Sequence, residues 1–132
     1  MDYQQKYIDL QNILIKDGGG KKELKSYLIF FDKILQKLDK DILVKKILRI
    51  CAKNNLNPSN SSIIDMGSGH GNISLGLTYY FNKVIGIDPS NSMLEQAELY
   101  KNRLKKLQPD EFNEDKLHLY KTTFIRLWIL NL

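Results

Sequence analysis

A single cysteine stands in 132 residues. Cys51 has no partner for an internal disulfide and no Cys or His neighbour at metal-ligand spacing. That excludes a disulfide-stapled scaffold and gives no metal site, so on its apolar helix it reads as a small core residue. No run of eighteen apolar residues occurs, and no membrane span or membrane partner is expected. The opening residues, Met1-Asp2-Tyr3-Gln4-Gln5-Lys6, lack the apolar core of a secretion signal, which makes the cytosol the expected address and the nucleus the second. Repeats and low-complexity tracts are also missing.

What is present is enough for one folded domain. A hydrophobic content of 42% can bury a moderate core, so composition does not point to disorder. The net charge of +5 comes mostly from lysines spread along helical stretches: Lys21, Lys22 and Lys25, then Lys33, Lys37 and Lys40, then Lys45, Lys46, Arg49 and Lys53. Solvated helix faces account for that pattern. The other reading of the same residues is a surface for RNA phosphates, to which basic clusters add affinity without sequence choice.

Taken in order, residues 3–16 carry apolar residues near helical spacing and stop at Gly18-Gly19-Gly20. A second helix is expected over 21–38 with a wide apolar stripe, and a third over 42–54, capped by Asp39 or Asp41. The apolar side of the third is expected to hold Leu43, Ile47, Leu48, Ile50 and Cys51. Turn formers from Asn55 to Ser61 then separate a helical segment, residues 1–56, from residues 57–132.

The centre of the chain lies just beyond. Ile63-Ile64-Asp65-Met66 reads as a short strand, Gly67-Ser68-Gly69-His70-Gly71 as a turn, residues 72–81 as a helix, and Val84-Ile85-Gly86-Ile87-Asp88 as a second strand. Gly67 suits a tight exit from the strand, Gly69 a ligand lying against the backbone, and Gly71 a helix starting close to the sheet. The spacing is G-x-G-x-G, whereas dinucleotide sites use G-x-G-x-x-G. Asp65, two residues before the first glycine, would repel a pyrophosphate and pair with an ammonium group. Asp88, ending the second strand, can accept hydrogen bonds from ribose hydroxyls. A helix over 90–107 capped by Ser90 or Asn91, a strand over 116–122, and an apolar stretch over 124–132 of undecided type follow.

Through Asp65-Met66-Gly67-Ser68-Gly69-His70-Gly71, Asp88-Pro89-Ser90-Asn91-Ser92-Met93-Leu94 and Ala97, residues 60–100 resemble the class I S-adenosylmethionine-dependent methyltransferases. The resemblance implies an α/β fold: a partial Rossmann-like doubly wound sheet of strand order 3-2-1, with a fourth strand as an option, behind the N-terminal helical segment. It implies S-adenosyl-L-methionine as cofactor. Asp65, Gly67, Ser68, Gly69 and Gly71 would hold its methionine part, Asp88 its ribose, and Pro89, Ser90 and Met93 would flank its adenine. Met93 suits core packing equally well.

The family domain continues through further strands, and no Asn/Asp-Pro-Pro-Tyr segment of its amino-methylating members occurs. The expectation is therefore a C-terminally incomplete methyltransferase, its acceptor open among RNA, protein and small molecules. An open sheet edge would invite a protein partner or self-association, and residues 124–131 are expected to pair beside strand 63–66. No catalytic base is assigned. His70 lies in the loop and titrates near neutrality, but its backbone rather than its ring is expected near the cofactor. His118 reads as a solvated strand histidine. Two rival readings stand beside the enzyme: a non-catalytic remnant or partner subunit, and a nucleotide-binding oxidoreductase domain, against which Asp65 and the glycine spacing count.

Overall fold

The computed structural model describes residues 32–122. The chain divides into two compact units, Met1–Gln36 and Lys37–Leu132. Of the first only residues 32–36 are described, so the architecture below is that of residues 37–122. The helix expected over 3–16, most of that over 21–38, and the pairing expected for 124–131 lie outside the described residues.

Three strands, β1 (Ser62–Met66), β2 (Lys83–Asp88) and β3 (Leu117–Lys121), form a parallel sheet in the order β1-β2-β3. Parallel neighbours need crossovers, and the helices between them supply these. Helix α1 (Ile42–Lys53) precedes the sheet, α2 (Asn72–Leu77) joins β1 to β2, and α3 (Asn91–Leu107) joins β2 to β3. The fold class is α/β. Register places Ile63, Val84 and Leu117 in one row, and Asp65, Gly86 and Leu119 in the next row on the same face. That face carries the helix α2, because a Cβ at Gly86 would lie 3.2 Å from the Ser74 hydroxyl. On the opposite face, Ile64 and Met66 of β1 remain 49% and 55% exposed.

The caps follow the sequence. Asp41 accepts the Leu43 N–H at 2.8 Å to start α1, and Ser90 accepts that of Met93 to start α3. Along α3, Gln96, Ala97, Tyr100 and Leu104 are buried at helical spacing and form the stripe that faces the sheet.

Two expectations need correction. On α1 the buried residues are Val44 and Cys51, while Leu43 and Ile50 are exposed and Ile47 and Leu48 half-buried. The cause is the contact with α2: the Val44 Cγ2 sits 2.9 Å from where a Cβ of Gly76 would be, which turns positions 44 and 51 inward. Helix α2 also ends at Leu77, not at residue 81. The Thr78 hydroxyl donates to the Leu75 carbonyl at 2.6 Å, and the Thr78, Tyr79 and Tyr80 N–H groups each bond three residues back, tightening the last turn. Tyr79 and Tyr80 are both half-buried; Tyr79 donates to the Gln108 side chain and Tyr80 to the Asp39 carbonyl at 2.8 Å.

Gly76 is fixed by packing, since a Cβ there would stand 2.4 Å from the Leu38 carbonyl oxygen, a backbone atom that cannot swing away. Gly76→Ala is expected to lower stability by about 1–3 kcal/mol, the usual range for overpacking. Urea unfolding with an unchanged slope and a lower midpoint checks it.

Candidate functional site

The turn between β1 and α2 is laid across the carboxyl end of β2. The N–H groups of Gly67 and Ser68 both donate to the Ile87 carbonyl, at 2.8 and 2.9 Å, and Gly71 donates to the Ser68 carbonyl at 3.0 Å. Gly67, Gly69 and Gly71 take φ values of +73°, +58° and +87°, a region closed to most side chains. A Cβ on Gly67 or Gly69 would meet nothing within 4 Å, so both border open space. Gly71 differs. Its Cβ would lie 3.1 Å from the Ala97 Cβ, so it lets α2 start close to α3, not close to the sheet as its place in the motif implied.

Both carboxylates lie on the α2 face. Asp65 pairs in register with Gly86, and Asp88 is two residues further along the same strand, so alternation points both side chains to one side. Asp88, 9% exposed, accepts the Gly69 N–H on Oδ2 and the Ser90 N–H on Oδ1, each at 2.9 Å. These bonds tie the glycine loop and the start of α3 to the end of β2. Pro89 is exposed, and Ser90 and Met93 are half-buried, on the chain that leaves Asp88 for α3. The Ser68 hydroxyl is turned inward and is buried, as is the Asn72 side-chain oxygen.

Asp65 accepts the Ser74 hydroxyl on Oδ2 at 2.6 Å. Its Oδ1 has no protein partner among the described residues. Burial pushes this carboxyl above the ordinary 3.8, with the Ser74 bond acting the other way. Sequence reasoning missed Ser74 and Gly86. Their only signal was a lone serine inside the apolar run Ile73-Ser74-Leu75-Gly76-Leu77 and a glycine within an otherwise bulky strand.

His70 is half-buried, its ring edge-on to that of Tyr100 with centroids 5.8 Å apart. Burial holds its imidazole below the usual value, which leaves it neutral at pH 7. His118 is also half-buried, in register with Ile85 on the face away from α2. A surface hollow lined by Lys105, Pro109, Phe112 and Glu114 lies at the far end of α3, about 25 Å from its start by helix rise, and is no part of this site.

The loop and the two carboxylates fall within one recognised family segment. Residues 64–123 match the family model of a methyltransferase domain. No curated protein and no solved structure matches the chain. The methyltransferase segment runs from inside β1 to just past β3, and so takes in the glycine loop, both carboxylates and Ser74. The match agrees with the methyltransferase resemblance that the motifs carry. No helix among the described residues is long and apolar enough to cross a membrane.

Burial of Asp65 has a pH signature. Its folded-state pKa lies above the unfolded value, so between 3.8 and the raised value the folded protein holds the extra proton, and stability falls as pH rises through that window. Asp65→Asn keeps an oxygen for the Ser74 hydroxyl and removes the charge. The variant is expected to match or exceed the parent in urea midpoint at pH 7, with the advantage shrinking as pH drops toward 3.8. Urea melts at pH 7 and at an acidic pH where the fold persists test it.

Proposed function

We propose that this chain binds S-adenosyl-L-methionine across the carboxyl ends of β1 and β2, in a partial Rossmann-like doubly wound sheet, and serves methyl transfer to an acceptor. The observation that carries the reading is the pair of carboxylates on one sheet face, joined by a glycine loop whose N–H group bonds the second of them. The donor set fits the group. Asp65 keeps one oxygen without a partner among the described residues, which suits the ammonium of the amino-acid end. Asp88 has given two of its roughly four acceptor positions to backbone N–H groups, and the other two suit ribose hydroxyls. The open space at Gly67 and Gly69 leaves a cradle that side chains would fill.

When bound, the sulfonium supplies an activated methyl group, and the remaining task of the protein is positioning. In this reading Asp65 and the loop of Gly67, Ser68 and Gly69 orient the amino-acid end. Asp88 fixes the ribose, and Pro89, Ser90 and Met93 border the adenine. Asp65 also discriminates, because two phosphates of a dinucleotide would approach an unneutralised carboxylate. His70 takes no proton-transfer role, its ring being packed on Tyr100.

Titration calorimetry with S-adenosylhomocysteine and with NAD tests the reading. The first is expected to bind and the second not, and Asp88→Ala is expected to weaken the first at least tenfold, the equivalent of about 1.4 kcal/mol. Binding of NAD in preference would overturn it. Binding without turnover on RNA, protein or small-molecule acceptors would assign the chain to the non-catalytic reading, a subunit that keeps the cofactor site.

A further inference from the structure

We propose that Ser74 is a positioning residue for cofactor recognition: its hydroxyl fixes Asp65 so that the carboxylate presents its other oxygen to the amino-acid end of the ligand. The inference rests on the cofactor reading above and adds to it the group that sets the geometry of that end.

Ser74 is 0% exposed, in a helix whose next three residues are also buried, and it is the one hydroxyl on that stretch of α2 facing the sheet. A buried hydroxyl without a partner is unfavourable, and this one is satisfied by Asp65 Oδ2 at 2.6 Å, the short distance of a charge-assisted bond. With Oδ2 held by Ser74, Oδ1 is the carboxylate oxygen left without a partner among the described residues. The neighbouring strand is built to allow it. In register beside Asp65 stands Gly86, where a Cβ would meet the Ser74 hydroxyl at 3.2 Å, the Ser68 hydroxyl at 3.2 Å and the Leu119 Cδ2 at 2.8 Å. Contacts of 3.2 Å are tighter than carbon and oxygen tolerate comfortably, so glycine at 86 preserves the room in which Ser74 meets Asp65. Three elements thus converge on one carboxylate: β1 carries it, α2 orients it, and β2 leaves space for both.

A purely structural serine would affect every ligand alike, whereas a positioning serine affects only ligands that reach Asp65. S-adenosylhomocysteine carries the amino-acid end, and 5′-methylthioadenosine is the same nucleoside without it. Calorimetry on the whole chain is expected to show that Ser74→Ala weakens S-adenosylhomocysteine about tenfold, as loss of one charge-assisted bond implies, and leaves 5′-methylthioadenosine unchanged. The affinity of the first ligand is also expected to fail at a higher pH on acidification in the variant, since the Ser74 bond favours ionised Asp65. Ser74→Cys, close in volume but a weak donor, is expected to give the same selective loss if the alanine variant does not fold. Equal weakening of both ligands, or of neither, overturns the inference while the cofactor reading survives. A parent protein that binds neither ligand overturns the cofactor reading, and this inference with it.

Discussion

The carboxylate of Asp88 receives one N–H from the glycine loop and one from the first residue of the turn into α3. A hydrogen bond to a charged group is worth about 1.5–3 kcal/mol in general, more than a bond between neutral partners. With them, the loop that leaves β1 and the chain that leaves β2 are fastened to the same point. Two further bonds, from the Gly67 and Ser68 N–H groups to the Ile87 carbonyl, keep the loop over the strand end. The positive φ values of the loop are tolerable only with glycine, and the donors they expose are those that find Asp88 and Ile87. Loop conformation and acid placement are therefore one feature.

The second acid is treated differently. Asp65 receives a hydroxyl in place of backbone N–H groups, and only on one oxygen. Its environment raises its proton affinity, which marks a charge that the protein itself does not fully compensate. A structural carboxylate is normally surrounded until its pKa falls, as helix caps and ion pairs do. One left raised and half-satisfied on a sheet face beside a glycine loop has the electrostatics of a group awaiting a cation.

The division of the core between sequence-legible and illegible parts follows from range. The strands, the α1 and α3 caps and the loop were readable because they depend on neighbours within four residues: Asp41 on Leu43, Ser90 on Met93, Asp88 on a strand end. The buried side of α1 was not, because Leu43 and Val44 are equally apolar and only the contact of Val44 with Gly76 in another helix decides between them. The early end of α2 was hidden for a similar reason, since Thr78 bends the last turn with a hydroxyl bond that the periodicity of Leu75, Leu77 and Phe81 does not register. At the site, both acids and the glycines were legible as a motif. Gly71 was assigned the wrong neighbour, and Ser74 and Gly86 went unassigned, because their roles lie across nine residues and across two strands respectively.

The unequal treatment of the two acids has a thermodynamic consequence. Asp88 is satisfied in the free protein, so a ligand that shares it gains hydrogen bonds to a group already in place, with little reorganisation. Asp65 is strained electrostatically in the free protein, and a cation beside it would relieve that penalty on arrival, returning its pKa toward the ordinary carboxylate range. Under the proposed reading, affinity at the ribose end would come from preorganisation, and affinity at the ammonium end from released desolvation energy. The second would be lost once Asp65 takes up a proton. A ligand with both a ribose and an ammonium group would, in that reading, use both acids, which would separate a sulfonium amino acid from adenosine compounds that share only its ribose.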